Sequence, residues 1–163
     1  YKEMGVDWHS RRPSPEALLR RISQKKDLYQ INTCVDAYNL IVMKNRVSVG
    51  AFDYDKFSFP TRMRLPKEGE EILLLGDKEA TKFKPTELAY FDQNGGYNVD
   101  FNYRDAQRTA VTENTKDILL NIDGIYDITR EKVEQSMKES IEIITKYCGG
   151  TVEFVGVVPA TQK

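Results

Sequence analysis

Val35-Asp36-Ala37-Tyr38-Asn39-Leu40 is followed, after a short gap, by Val49-Gly50-Ala51-Phe52-Asp53. Thr33-Cys34-Val35-Asp36 is a Thr-x-x-acid start signal, and the helix it opens is expected to run to about Met43. Helical spacing puts Val35, Tyr38 and Val42 near one face and Asp36, Asn39 and Met43 near another. Both faces are expected to touch protein. Val47 to Phe52 then reads as a short apolar strand interrupted by a glycine. A polar pair on a helix that leads into a glycine-broken strand is hard to explain as core alone.

Working outward, Ser14-Pro15-Glu16 reads as an N-cap, a proline at the first helical position and an acid in the first turn, with Leu18, Leu19 and Ile22 as an apolar stripe. That helix should reach about Lys25. Glu71 to Leu75 reads as a strand, and Phe57 to Pro66 as an irregular or edge segment because of its prolines. Leu88 to Phe91 and Tyr97 to Tyr103 flank Asn94-Gly95-Gly96, a hairpin signal. The second arm alternates: Tyr97, Val99, Phe101 and Tyr103 point one way, Asn98, Asp100, Asn102 and Arg104 the other. The aromatic face is core. The polar face is either solvent-facing surface or the wall of a polar cavity. Ile118 to Ile122 is a further strand, and Thr129 caps a long helix with Val133, Met137, Ile141 and Ile144 on its inner stripe, stopped by Gly149-Gly150. Val152 to Val158 is expected to return as a terminal strand. The fold class is α+β: one strand-rich domain over 1–163 with helices packed on the sheets.

Composition narrows the function. A chain of 163 residues can bury roughly 70% of its unfolded surface without disulfides or metal. Its two cysteines, Cys34 and Cys148, show no CxxC spacing, so neither a disulfide framework nor a zinc site is expected, and a reducing cytoplasm fits. No apolar run is long enough to span a membrane. Because the chain opens on Tyr1 rather than methionine, residues are expected to precede it. The net charge of −1 excludes a strongly basic nucleic-acid coat. Residues 1–50 nevertheless hold nine basic against five acidic side chains. Arg11, Arg12, Arg20 and Arg21 therefore form either an RNA-facing patch or a solvated helix face.

The usual catalytic constellations are missing. His9 is the only histidine and has no activatable serine or cysteine in an elbow context, so a catalytic triad is not expected. There is no Walker loop, GxGxxG or HExxH, and no cofactor or metal is expected. Carboxylates interleaved with lysines, as in Glu131 to Glu142, belong to a solvent-facing helix. What remains is Asp36 and Asn39 together with the polar segment Asn102 to Thr115.

These residues resemble the B3/B4 editing domain of the phenylalanyl-tRNA synthetase β subunit, in which a "VDATN" helix leads into an "AFD" strand. The match runs from Val35 to Asp53 without a gap and extends, more weakly, over roughly Pro13 to Ile122. In that family a "GG…SEV…T" strand and loop walls the amino-acid pocket, and Asp105 to Thr115 holds the corresponding place. The departures are specific. Gly50 stands where bacterial synthetases carry a histidine, and Ala110 where they carry the glutamate of "SEV". Asn39 is the matching polar pocket residue and Thr109 stands for the serine. Arg12 to Leu18 and the Asn102-Tyr103-Arg104-Asp105 segment look more like free-standing B3/B4 proteins than like a synthetase subunit.

The resemblance implies hydrolysis of a mischarged aminoacyl-tRNA ester, with aminoacyl-tRNA or its amino-acid-bearing 3′ end as partner and no ligation of phenylalanine to tRNA. Such an ester is already activated, so a site needs only to hold the amino acid, place a water and stabilise the developing oxyanion. On that reading Asn39 and Asp36 are the catalytic residues: Asp36 or Asp105 binds the substrate ammonium, and Asn39 with backbone donors near Gly50 orients the carbonyl and water. Tyr38, Gly50, Asn102, Arg104, Asp105, Thr109 and Thr112 line the pocket. The alternative is a module that keeps the fold and uses it to bind RNA or protein without chemistry. Loss of the two bacterial editing residues favours that alternative; retention of Asn39, Asp36 and a polar wall favours hydrolysis.

Overall fold

The computed structural model describes residues 2, 6–7, 9–125 and 127–158. The helices are α1 (Ser14–Ser23), α2 (Thr33–Asn45) and α3 (Arg130–Cys148). The strands are β1 (Ser48–Asp53), β2 (Arg62–Arg64), β3 (Glu71–Ile72), β4 (Thr81–Lys82), β5 (Ala89–Asp92), β6 (Gly95–Val99), β7 (Arg104–Asp105) and β8 (Ile118–Asp123). They form three antiparallel sheets, ordered β1-β8, β2-β5-β6-β7 and β3-β4. The α+β expectation holds. No described helix is long and apolar enough to cross a membrane.

β1 organises the molecule because all six of its residues are buried. Alternation sends Val49 and Ala51 into a cluster with Leu18, Ala37, Tyr38, Val42 and Ile144. Phe52 goes the other way, into a cluster with Ile72, Tyr97, Val99 and Ala106. Gly50 shares the Phe52 side. The strand is the seam between a helical layer and the β5–β6 sheet, and whatever Gly50 faces lies at that seam.

Local signals shift in detail. The cap of α2 is Asn32, whose Oδ1 accepts from the Val35 N–H at 2.9 Å, and Thr33 is already helical. α1 is capped by Pro13 without a side-chain hydrogen bond, so Ser14 does not act as the cap; the helix stops at Ser23. α3 begins where expected, with Thr129 Oγ1 accepting from the Lys132 N–H at 3.3 Å. Its most buried stripe is Ser136, Ser140 and Ile144 rather than the larger apolar residues, and small side chains there let α2 approach closely. The strand expected over Glu71 to Leu75 keeps only two residues, with Leu74 making a single bridge to Ala106. Val152 to Val158 is exposed and forms no strand.

The largest correction concerns the hairpin. β6 ends at Val99, because Asp100, Phe101 and Asn102 take positive φ values of 48°, 53° and 62°. Asn and Asp tolerate that region far better than an aromatic residue does. The strand expected to run to Tyr103 instead turns back on itself, and Asn102 N–H donates to Asn98 Oδ1 at 3.0 Å. Tyr97 and Val99 are in the core as their alternation requires. The polar set is not solvent-facing: Asn98 and Asp100 are fully buried and Asn102 nearly so.

Candidate functional site

The buried polar residues form one hydrogen-bonded box across the seam. Asn98 Nδ2 donates to Asn102 Oδ1 and to Asp105 Oδ1, each at 2.6 Å. Asn102 Nδ2 donates to Asp123 Oδ2 at 2.7 Å, and Asn121 Nδ2 to Asp123 Oδ1 at 2.8 Å. The Tyr90 hydroxyl also donates to Asp123 Oδ1. Four elements contribute: β5, β6 with its left-handed turn, β7 and β8.

Gly50 closes the box from β1, where it pairs with Asn121. A Cβ there would lie 2.5 Å from Asn102 Oδ1 and 3.1 Å from Phe52 Cζ. The glycine is required by this close approach. A histidine in its place, as in the bacterial pattern, would displace the Asn102 amide, so the two features are alternatives.

The electrostatics are set by burial. The Asp105 carboxyl is pushed up to about 6, first by loss of hydration and further by the neighbouring Asp123 charge, against the bond from Asn98. Asp123 is also raised by burial, with Tyr90 and Asn121 opposing. Tyr38 reaches the same place from α2. Burial, followed by the Asp105 charge, holds its phenol protonated. Tyr38, Gly50, Asn102 and Asp105 are therefore brought together.

The other expected site residues lie apart from this group. Asp36 Oδ1 accepts from the Ile31 N–H at 3.1 Å, a local helix-start contact. Asn39 follows Tyr38 on α2, so it sits about 100° round the helix, half-buried. Arg104 turns outward: its guanidinium donates to both Asp77 oxygens, at 2.7 and 3.1 Å, and to the Leu75 carbonyl at 2.6 Å. Thr109 is fully buried beside the Phe52–Ala110 bridge, and its hydroxyl has no hydrogen-bond partner among the described residues. Thr112 is exposed in a turn with Thr115.

The arginines divide as well. Arg11 is spent on Glu87 and Asp100, at 2.5 and 2.8 Å. Arg12 pairs with Glu16 at 3.0 Å. Arg21 stacks on Tyr29 and donates to the Asp27 carbonyl. Arg20, with Arg46, lines an apolar depression of about 590 Å³ floored by Leu19 and Ile128. A second depression of about 290 Å³ runs along β3, past Gly96 and Arg108. Neither includes Asp36, Asn39 or Gly50. Among the described residues no group of acidic, cysteine or histidine side chains is arranged to hold a metal ion.

The sequence reading placed Asn98 on a polar face that could wall a cavity but did not name it as a site residue, and it missed Asn121, Asp123 and Tyr90. A signal was present: Asn98, Asp100 and Asn102 alternate with core residues, yet Asn and Asp are depleted on ordinary exposed strands, where Thr and Lys are more usual.

A small α+β domain whose central strand is shared by a helical layer and a sheet, with a carboxylate–amide box at the seam, defines the class. The family model described as the B3/4 domain matches residues 1–149, and the chain belongs to that family. It is similar to the phenylalanine–tRNA ligase β subunit of Pasteurella multocida, 26% identical over 163 residues, covering 86% of this chain and 20% of that protein. The Haemophilus influenzae β subunit is 32% identical over 108 residues, covering 66% of this chain and 13% of that protein. The chain thus spans a fifth or less of these curated relatives. The fold is similar to an N-terminal fragment of the phenylalanyl-tRNA synthetase β subunit from Pyrococcus horikoshii, with a TM-score of 0.58 and 18% identity over 71% of this chain and 40% of that one.

Proposed function

We propose that this B3/4 domain is an aminoacyl-tRNA deacylase that hydrolyses the ester of a mischarged amino acid at the face formed by Tyr38, Gly50, Asn102 and Asp105. The observation that carries the reading is Asp105: a half-buried carboxyl that has lost much of its hydration, is held by an amide and, among the described residues, has no cation beside it in the box. An α-ammonium is the cation common to every aminoacyl ester, and such a carboxylate binds it more strongly than a hydrated one does. Asn39, half-buried beside Tyr38 on α2 and outside the group at the seam, is the residue the family pattern implies for orienting the ester carbonyl from the edge of that face. Water adds to that carbonyl, the bond to the ribose oxygen breaks, the amino acid leaves as a carboxylate and the ribose hydroxyl recovers a proton.

The test is a panel of mischarged tRNAs incubated with the protein, following amino-acid release. Hydrolysis above background of a narrow set is expected, lowered about 10²-fold by Asn39→Ala as for loss of one oxyanion donor. Asp105→Asn should raise KM by a similar factor. A folded protein that hydrolyses nothing across the panel overturns the reading.

A second reading, binding without chemistry, is favoured by the apolar depression carrying Arg20 and Arg46. On that reading Arg20→Ala with Arg46→Ala weakens tRNA binding and flattens its salt dependence by about one unit for each phosphate no longer neutralised, with no ester hydrolysis by the wild type.

A further inference from the structure

Nothing in the spacing of Cys34 and Cys148 announces a pair, yet the fold makes them one. Cys34 is the second residue of α2 and Cys148 the last of α3, and these two helices pack together. Cys34 packs against the cluster that contains Ile144, and Cys148 lies one turn beyond Ile144 on the same face of α3, so the packing of the two helices turns these thiols, both free, toward each other. Cys148 is exposed, whereas Cys34 is half-buried against the cluster that contains Leu18, Tyr38 and Ile144. One thiol is open to reagents and the other waits behind it, the arrangement of an attacking and a resolving cysteine.

We propose that Cys34 and Cys148 form a reversible disulfide, made by exchange with a small-molecule disulfide such as oxidised glutathione, that staples the start of α2 to the end of α3. In the first step the Cys148 thiolate attacks the glutathione disulfide, whose S–S bond breaks to release one glutathione thiolate. In the second, the Cys34 thiolate displaces the remaining glutathione from Cys148 Sγ. The two protein thiols lose two protons and two electrons in total, and the electrons reduce one glutathione disulfide to two thiols.

Two consequences follow from position. Cys34 and Tyr38 are one helical turn apart on the same face of α2, so the staple bears on the helix end that delivers Tyr38 to Ala51 and the Asp105 box. Burial, with the neighbouring Cys148, pushes the Cys34 thiol up to about 11. The resolving step is therefore slow at neutral pH and accelerates about tenfold per pH unit between about pH 7 and 9, because the thiolate is the nucleophile.

The experiment incubates the full chain with oxidised glutathione at several pH values, quenches with acid and reads intact mass, free thiols and a non-reducing peptide map. Expected are loss of both titratable thiols, a mass lower by about 2 Da, a Cys34–Cys148 cross-linked peptide, a higher Tm, and full reversal by dithiothreitol. Cys34→Ser should stop at a stable glutathione adduct on Cys148, and Cys148→Ser should give no intramolecular cross-link. A wild type that keeps the adduct on Cys148 with Cys34 still titratable at pH 9 overturns the proposal. So does cross-linking between chains, or an intramolecular cross-link that forms only in urea. None of these readouts depends on ester hydrolysis.

Discussion

Two pairs of aspartates, buried except for the half-buried Asp105, are handled in opposite ways. Asp92 and Asp100 both have fully buried side chains, and each meets an arginine: Arg108 grips Asp92 at 2.6 and 3.1 Å, and Arg11 grips Asp100 at 2.8 Å. Those arginines come from outside the hairpin and keep one edge at the surface, so the charge pairs are clamps. Arg108 also donates to the Gly95 carbonyl at 2.9 Å, pinning the β5–β6 turn. Among the described residues, the hydrogen-bond partners of the Asp105 and Asp123 carboxyls are amides and a phenol. A carboxylate with its own arginine is structural. One with hydrogen bonds and no cation keeps its affinity for a cation from elsewhere, which is why the second pair, not the first, carries the functional reading.

The sharpest way to break this contrast is Arg108→Ala. Among the described residues, it leaves the buried Asp92 with the Ser58 and Asn94 backbone N–H groups as its partners. A loss of roughly 3 kcal/mol in urea denaturation is expected, as for other half-removed buried pairs. A loss below about 1 kcal/mol would mean that the clamp is ornamental.

Next in size is the pH response of the uncharged-neighbour pair. Asp105 has a folded pKa raised to about 6, above the unfolded value, so the folded state holds the proton more tightly. Stability then falls as pH rises from about 4 through about 6, and the full cost, on the order of 2–3 kcal/mol, is present above the folded pKa. Asp105→Asn should remove that slope and leave the protein more stable than wild type at pH 7. An unchanged slope in denaturation curves taken from pH 4 to about 8 would show that Asp105 is not the titrating group.

Gly50→Ala should cost about 1–3 kcal/mol, the usual range for overpacking, because the added methyl meets an Asn102 amide held on both sides. Hydrolysis should fall with it if the box is the substrate face. Arg104→Ala marks the low end. Its partner Asp77 and its own side chain are each about one-third exposed, so a change of no more than about 1 kcal/mol in thermal or urea unfolding is expected.

Much of this architecture was legible in residue patterns. α2 and β1 followed from a helical polar–apolar division and a short apolar run, α3 from a capping threonine and a double-glycine stop, and the hairpin from Asn94-Gly95-Gly96. The errors were of a different kind. Asn32 took the cap role expected of Thr33 because a cap depends on which side chain reaches the Val35 N–H, a matter of one residue. β6 broke at Val99 because three consecutive residues entered the left-handed region, which no local pattern required. Of the residues expected at the pocket, Gly50 and Asn102 meet directly, and Asp105 joins the same hydrogen-bonded box through Asn98. Asn98, Asn121, Asp123 and Tyr90 were not named as site residues, and Arg104 joined a surface pair with Asp77 instead.

The sequence by itself determined which residues share a face, since periods of 3.6 and 2 are properties of the backbone. It determined the family too, through the Val35 to Asp53 stretch. Only the tertiary structure decided what covers each face. The polar side of β6 is covered by its own left-handed turn and by β7, and that turn is tied to β8 through Asp123, so Asn98 is buried and Asp105 loses much of its hydration. The Cys34 end of α2 likewise comes to the Cys148 end of α3 because two helices distant in sequence pack together. Burial is a sum over segments far apart along the chain, and the charge state and reactivity of a side chain depend on burial more than on its neighbours in sequence.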